Sequence, residues 1–158
     1  MATGLANAQT PPSARVDATA LIIPRVSIAA SAGSDGKGNL DFGLVVLAKK
    51  PITETINPNT DAHAGLLTVG GAPLMALSIS YTAPDLSDTS GHTIPWTLQV
   101  VGDTLSSNQG TAASATTGSH VTVSSTGNYY LWLGESVTVA AGTNDGDYKS
   151  IINLTASY

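Results

Sequence analysis

The segment Asp147 to Tyr158 (DYKSIINLTASY) decides how we expect this chain to fold. Apolar and polar residues alternate along it, which is typical of a half-buried β-strand. The turn-forming residues Thr143 to Gly146 (TNDG) come directly before it. The sequence therefore predicts that the fold closes with a C-terminal strand that is entered from a turn.

The composition favours strands over helices. Charged residues make up 11% of the chain, against roughly 25% in an ordinary soluble domain. Surface helices normally carry Lys and Glu on their solvent face, whereas Thr and Val, which are frequent here, favour strands. A chain of 158 residues has the usual length of one domain and can bury one core. We therefore expect a single all-β domain.

The N-terminal region is predicted to have two parts. Residues 1–15 contain Pro11-Pro12 and small polar residues, which bury too little surface to order themselves, so we predict a flexible arm. The single β-sandwich domain is expected to span residues 16–158. Its first segment has apolar residues at even positions, interrupted by Pro24, which cannot donate a ladder hydrogen bond. This indicates either an edge strand in two pieces or a strand added to another chain. The apolar residues of this assembly strand are Val16, Ala18, Ala20, Ile22, Val26 and Ile28.

Short strands bounded by turn residues follow along the rest of the chain, with no helical period between them. About nine strands at this spacing predict an antiparallel sandwich of immunoglobulin-like or jelly-roll type. Phe42, the sole phenylalanine, is the strongest predicted core anchor, and Trp96 and Tyr148 are the others. Besides the first and last strands, the predicted ranges are 40–46, 52–56, 65–69, 76–82, 94–101, 121–124, 129–133 and 136–140.

Two short motifs resemble secreted bacterial β-sandwich domains. The segment Leu40-Asp41-Phe42-Gly43 matches an L-x-F-G pattern that such domains often carry after a first strand containing a proline, here Pro24. The C-terminal turn and strand resemble their closing hairpin. The chain is thus similar to the domain-of-unknown-function family 4402, to spore coat protein U and to archaic chaperone-usher pilins. In pilins the N-terminal segment of a neighbour completes the sandwich, whereas in family 4402 a similar segment is the domain's own first strand.

Candidate catalytic residues are few. His63, His92 and His120 are the only neutral-pH general bases, and none is two or four residues from another. The sequence has no G-x-S-x-G nucleophile turn and no cysteine, which excludes a thiolate nucleophile, disulfides and cysteine-ligated metals. We therefore read the histidines as loop residues and expect that the protein is not an enzyme.

Two acidic turns, Asp35 to Asp41 and Asp145 to Asp147, offer oxygen ligands of the kind that calcium accepts. Neither turn fits the calcium-loop pattern with its distant Glu, and Asp and Gly also favour hairpin turns because they tolerate positive φ. We expect no metal and no cofactor. The segment Asn153-Leu154-Thr155 matches the N-glycosylation pattern, but it lies inside a predicted strand, so we read the match as chance.

Charge and hydropathy limit the partners and the location. The net charge is −5 and the six basic residues are scattered, so nucleic acid is not an expected partner. The longest apolar run, Ala20 to Ile23, is far shorter than the roughly 18 residues that a membrane helix needs. Ala6-Asn7-Ala8 has the form of a signal-peptidase site without the basic start and apolar run that should precede it. We expect export, by a signal peptide not present in this chain, to the cell surface or the extracellular space.

Three functional hypotheses remain open at this stage. The first is a structural subunit of an extracellular fibre or coat that assembles with other copies of itself or related subunits through the N-terminal strand, with a host-cell or matrix surface as a further partner. The second is a monomeric carbohydrate-binding or adhesin module, in which Trp132, the neighbouring tyrosines and the long loop 102–118 bind a sugar. The third is a virion decoration protein, which applies if Met1 is the true start of the chain.

Overall fold

The computed structural model describes residues 25–31, 45 and 50–158. Within these residues the chain forms eleven β-strands and one short 3-10 turn, and every strand pair is antiparallel. The prediction of an all-β antiparallel sandwich is confirmed, with eleven strands where the sequence predicts about nine.

The strands are arranged in three sheets. In chain order they are β1 (Ser27–Ser31), β2 (Ile52–Ile56), β3 (Gly65–Gly70), β4 (Ala76–Thr82), β5 (Leu86–Ser87), β6 (Thr93–Ile94), β7 (Trp96–Asp103), β8 (Ala113–Ser114), β9 (Ser119–Thr122), β10 (Asn128–Val139) and β11 (Asn153–Ser157). The first sheet has the order β1-β3-β10-β7-β8, with β2 also paired to β10; the second has the order β11-β4-β9; and β5 and β6 form a small hairpin.

Strand β10 is the centre of the first sheet. It is 12 residues long and pairs with β7 along one edge, and with β3 and then β2 along the other. Leu131 and Leu133 lie on its inner face and pack into one buried cluster with Leu77 and Ile79 of β4. This cluster is the main core, and it joins the first sheet to the second.

The sequence predicts two strands, 129–133 and 136–140, where the structure has the single strand β10. The prediction of two strands was wrong, because Gly134, between the two predicted ranges, lies inside the strand and does not end it. A Cβ atom at Gly134 would overlap the carbonyl oxygen of Ile56 and the ring of Pro58. Glycine inside a strand often marks such a close backbone approach. Here it lets the end of β2 and the following turn lie directly against β10.

A second buried cluster lies on the outer face of the first sheet. Trp132 of β10 is its largest member and is only 3% exposed. The other buried members are Ile56, Ala64, Val101 and Ala112. Two loops supply part of this cluster, since Ala64 precedes β3 and Ala112 lies just after the 3-10 turn Gln109–Thr111.

Two side-chain amides hold these loops together over the outer cluster. The Nδ2 group of Asn59 donates to the carbonyl oxygens of Gln109 and Ala112, each at 3.0 Å. The Nε2 group of Gln109 donates to the carbonyl oxygens of Pro58 and Asp61, each at 2.9 Å. We call these four hydrogen bonds the amide clasp. Each side-chain amide thus donates two hydrogen bonds to backbone carbonyl groups of the other loop.

The C-terminal strand does not close the fold as a hairpin. Strand β11 pairs with β4 of the second sheet, and the regular strand covers only Asn153–Ser157 rather than the whole segment 147–158. Both edges of β10 are already occupied, so the chain after β10 crosses to the other sheet. At its end, the hydroxyl of Tyr158 accepts a hydrogen bond from the backbone N–H of Ala72 at 2.7 Å.

The predicted core anchors lie in different places. Phe42 is outside the described residues, so its place in the core stays a prediction. Trp96 and Tyr148 are half-buried and pack against a third cluster, formed by Ile94, Val137 and Val139. Trp96 also donates its Nε1–H to the carbonyl oxygen of Pro84 at 2.7 Å. Aliphatic side chains fill the centre of the sandwich instead, and the largest fully buried ones are Leu77, Ile79, Leu131, Val69 and Val123.

Gly134→Ala should destabilise the fold by at least about 1–3 kcal/mol, the usual cost of overpacking, because the new methyl group meets backbone atoms that cannot move aside. Gly110→Ala is the matched control, since a Cβ there has no neighbour within 4 Å. The free energy of unfolding, measured in urea, tests both variants. Equal stabilities of Gly134→Ala and wild type would show that β2 does not press on β10.

Asn59→Asp and Gln109→Glu replace the donating nitrogen of each amide by an oxygen at nearly constant volume. Each substitution removes two hydrogen bonds to backbone carbonyls and should cost roughly 1–3 kcal/mol of unfolding free energy. The double variant should lose less than the sum, because both residues belong to one network. Gln99→Glu, at an exposed position of β7, is the control. Stabilities equal to that of the control would contradict the clasp.

Candidate assembly edge

The inner face of β1 is contacted by a strand of the second sheet but is not fully covered. In the register of β1 and β3, Ile28 lies opposite Val69 and Ala30 lies opposite Leu67. Directly opposed residues of an antiparallel pair point to the same side of the sheet, and Val69 is fully buried in the core. Ile28 therefore points to the inner side, yet it is 38% exposed. β1 is an edge strand of the first sheet, since among the described strands it pairs only with β3.

Strand β11 forms the neighbouring edge of the second sheet. Among the described strands it pairs only with β4, and it contacts β1 across the sandwich. Leu154 and Ala156 lie opposite Tyr81 and Ile79 of β4, so they point to the core, but they are only partly buried. We call the surface between β1 and β11 the open edge. Its apolar residues are Val26, Ile28, Ile152, Leu154 and Ala156.

The open edge has the two properties that strand addition requires. Half-exposed apolar side chains gain burial when a further strand covers them, and an edge strand offers main-chain N–H and C=O groups to a new partner. A strand placed beside β11 in the second sheet would lie next to the partly buried Leu154 and Ala156 and, because β11 contacts β1, near Ile28. The geometry thus suits an extended segment with apolar residues at every second position.

The predicted assembly strand is only partly within the described residues. Val16, Ala18, Ala20 and Ile22 lie outside them. Ile28 belongs to β1, which pairs with the chain's own β3, and the half-buried Val26 packs against the chain's own core. The sequence left two alternatives for this stripe, an edge strand of its own sheet or a strand added to another chain, and the role of Val16 to Ile22 stays a prediction. The part that contains Ile28 is an intramolecular edge strand, which is the alternative that Pro24 indicated.

Two of the three histidines pair with nearby aspartates. The Nδ1 atom of His63 lies 2.9 Å from Oδ1 of Asp61, and that of His92 lies 2.7 Å from Oδ2 of Asp88. Both aspartates also accept the backbone N–H of the same histidine. These bonds lower the pKa of Asp61, with the backbone bond from His63 as the largest cause. His120 is exposed on β9. The two pairs fix turns, and we find in them no catalytic arrangement.

Asp88 organises the loop between β5 and β6. Its side chain is 7% exposed, and its Oδ1 atom accepts hydrogen bonds from the backbone N–H groups of Ser90 at 2.9 Å and His92 at 2.8 Å. The hydrogen bond to the His92 ring is the largest cause that lowers the pKa of Asp88, and burial opposes it. The ionised carboxylate is therefore the form that the folded loop prefers.

The acidic turns show no metal-binding geometry where they are described. Asp147 forms an ion pair with Lys149 at 2.6 Å, in which both side chains are about three-quarters exposed, and this pairing raises the pKa of Lys149. In the described part of the chain, no group of three or more His, Asp or Glu side chains is placed to hold a metal ion. Asp35 and Asp41 lie outside that part.

The aromatic run at the start of β10 does not present Trp132 to solvent. Trp132 lies under the amide clasp, and Tyr130 contacts it with ring centres 6.4 Å apart. Tyr129 points to the other face, where a Cβ on Gly102 would overlap its ring, and burial raises the pKa of its hydroxyl. A sugar-stacking site needs an exposed aromatic face, which Trp132 does not have in this structure.

No family model matches the chain, and no curated protein matches it. Within the described residues, no helix has the length and apolar character needed to cross a membrane. The open edge, with its partly exposed apolar side chains, is the feature of the described residues that suits binding to another chain.

Asp88→Asn should weaken the pH dependence of stability in acid. The folded pKa of Asp88 lies below the unfolded value of about 3.9, so its ionised form stabilises the fold above that pH. This contribution is lost as the pH falls through the folded pKa. The urea midpoint between about pH 6 and 2 should therefore fall less steeply in Asp88→Asn than in wild type, and His92→Asn should give a similar change. Identical slopes in all three proteins would contradict this role of Asp88.

Proposed function

We propose that the protein is a structural subunit of an extracellular fibre or coat, and that copies assemble by adding the N-terminal segment of one chain to the open edge of the next. The proposal gives the segment Val16 to Ile22 the role of donor and the β11 side of the open edge the role of acceptor. β1 stays in its own sheet.

The open edge is the observation that carries this proposal. Ile28, Leu154 and Ala156 point to the core side of their sheets and remain partly exposed. A strand beside β11 would bury Leu154 and Ala156, would lie near Ile28 and would satisfy the main-chain groups of its edge. Burial of this kind contributes roughly 25 cal/mol for each Å² of apolar surface, and the main-chain hydrogen bonds set the register.

The donor segment has the matching pattern. Val16, Ala18, Ala20 and Ile22 recur at every second residue, which places them on one face of an extended strand. Pro24 follows, and because proline has no N–H to donate, it separates the donor from β1. Small and medium side chains in this stripe suit a narrow cleft between two sheets. Binding of this kind does not depend on surface charge, which is scarce in this chain.

Ile22→Asp should abolish assembly of the full-length protein, because it places a charge on the face that enters the open edge. Thr19→Asp is the matched control: it adds the same charge on the opposite face of the extended segment, which is directed to solvent. Sedimentation and electron microscopy of purified protein measure the assembled fraction. Assembly of Ile22→Asp at the wild-type level would overturn the donor role of this stripe.

Cysteine cross-linking tests which edge accepts the donor, since the native chain has no cysteine. Thr19→Cys and Thr155→Cys are made in separate chains and mixed before oxidation. A disulfide-linked dimer of the two variants is expected, because Thr155 lies on the exposed face of β11. Thr138→Cys, on an exposed part of β10, replaces Thr155→Cys as the control and should give little cross-link.

A double variant with Thr19→Cys and Thr155→Cys in the same chain distinguishes the two possible modes of strand addition, within one chain or between two chains. An internal disulfide in a monomer, without cross-links between chains, would show that the segment completes its own sandwich and would overturn the fibre proposal. Absence of every cross-link, in a protein that remains monomeric, would replace it with the binding-module hypothesis.

A further inference from the structure

In the part of the chain that the structure describes, four of the six large exposed hydrophobic residues lie at one end of the sandwich. They are Leu74, Met75, Leu105 and Tyr158, and we call their surface the apolar end. The strand register places them together. Gly70, the last residue of β3, lies opposite Asn128, the first residue of β10, and Asp103, the last residue of β7, lies opposite Tyr130. The loops that follow β3 and β7 therefore leave the first sheet at the same end.

Leu74 has an unfavourable backbone conformation at the tip of this end. It is the only non-glycine residue with positive φ in the described chain, at 60°. It occupies the third position of a turn in which the N–H of Met75 donates to the carbonyl oxygen of Ala72 at 3.1 Å. With Pro73 at the second position, such a turn favours glycine or asparagine at the third. The leucine side chain is 68% exposed, so burial within this subunit does not offset the strain.

Three hydrogen bonds hold the turn against its neighbours. Ala72 donates its N–H to the hydroxyl of Tyr158 at 2.7 Å. Leu74 donates to the carbonyl oxygen of Ser124 at 3.2 Å, and Val123 donates to that of Met75 at 3.1 Å. The exposed leucine is thus presented by a fixed backbone, and a fixed surface loses less entropy when it binds.

The apolar end carries little side-chain charge. In the described segments that meet there, residues 25–27, 70–76, 103–108, 122–129 and 157–158, Arg25 and Asp103 are the charged side chains. The centres of protein interfaces are depleted of charge in the same way, and large exposed apolar patches mark interaction sites.

We propose that the apolar end is the surface on which the next copy of the chain docks, end to end. The inference rests on the proposed function, because β1 starts at this end, with Ser27 opposite Gly70. The segment that precedes β1 therefore joins the subunit here, and a neighbour that takes up the donor strand is brought to this end. The contact is between two folded bodies and is additional to the added strand.

The opposite end of the sandwich supplies an apolar partner for this contact. Strand β11 runs towards Tyr158 at the apolar end, so Ile151, two residues before β11, lies at the other end. Ile151 is 74% exposed. Contact between unlike ends of identical subunits is heterologous and extends into an open filament rather than a closed dimer. Leu74 of one copy and Ile151 of the next are the proposed apolar anchors.

Leu74→Gly tests the inference with a variant that does not weaken the fold. Glycine adopts positive φ freely, so the thermal midpoint should stay unchanged or rise. Assembly of the full-length protein should weaken, with the critical concentration for fibre formation raised about tenfold or more, as for loss of an interface anchor. Ile151→Ser at the other end should give a similar defect. Wild-type critical concentrations in both variants would overturn the inference.

A charge-matched pair provides a second comparison. Leu105→Asp places a negative charge on the apolar end, and Gln99→Glu places one on the side of the sandwich, at an exposed position of β7. Only the first should raise the critical concentration. Equal effects of the two substitutions would indicate a general response to charge and would overturn the docking role of this end.

The two proposals fail in different ways. If the wild-type protein forms neither fibres nor cross-links between Thr19→Cys and Thr155→Cys chains, the proposed function itself fails. If wild-type fibres form and Leu74→Gly forms them equally well, only the end-to-end contact fails. If both proposals are right, the Thr19→Cys and Thr155→Cys chains should still form their cross-link at high concentration when each also carries Leu74→Gly. Strand addition itself does not use Leu74.

Discussion

Burial of β10 on both faces is the constraint on which the rest of the structure depends. Its inner side chains join the two sheets through the core cluster around Leu131, and its outer face carries Trp132. A strand buried on both sides needs a cover on each side, and the first sheet has a second sheet only on one. The loops that cross the outer face therefore provide the other cover. The substitution-sensitive site at Gly134 follows from the same arrangement, since β2 must come close to β10 before the chain turns outward over Trp132.

The proposed assembly depends on the edge strands β1 and β11 of the two sheets. Among the described residues the first sheet has six strands and the second has three, and Ile28 of the edge strand β1 stays partly exposed on the core side. At the proposed acceptor site, the partly buried Leu154 and Ala156 belong to a strand, β11, that pairs with one neighbour among the described strands. In the proposed assembly, the apolar end would add a second contact close to the start of β1. Strand and end contact would act as two linked binding events, in which the first raises the effective concentration for the second.

The alternation of apolar and polar residues was sufficient to predict many of the strands. It was not sufficient to predict which loops and strands pack against them. Alternation placed the strands Ile52–Ile56 and Ala76–Thr82 at their observed bounds, because side-chain period is a local property. Burial of Trp132 could not be predicted, since it depends on a clasp between Asn59 and Gln109, which are 50 residues apart. The sheet to which β11 belongs depends in the same way on which edges other strands have occupied. The apolar stripe Val16 to Ile22 is visible in the sequence as a period of two, whereas the proposed acceptor edge depends on which strands pair in the folded chain. The role of Phe42 remains a prediction.

The amide clasp has a consequence for the conditions that the subunit tolerates. Its donors are neutral amides and its acceptors are backbone carbonyls, so no proton is gained or lost there at any ordinary pH. Dissolved salt screens the attraction between charges over a distance of about 8–10 Å. It has little effect on short hydrogen bonds between uncharged groups. Changes in salt concentration should therefore have little effect on the hydrogen bonds of the clasp over Trp132. In a chain with few charges, the clasp thus joins two loops without using an ion pair.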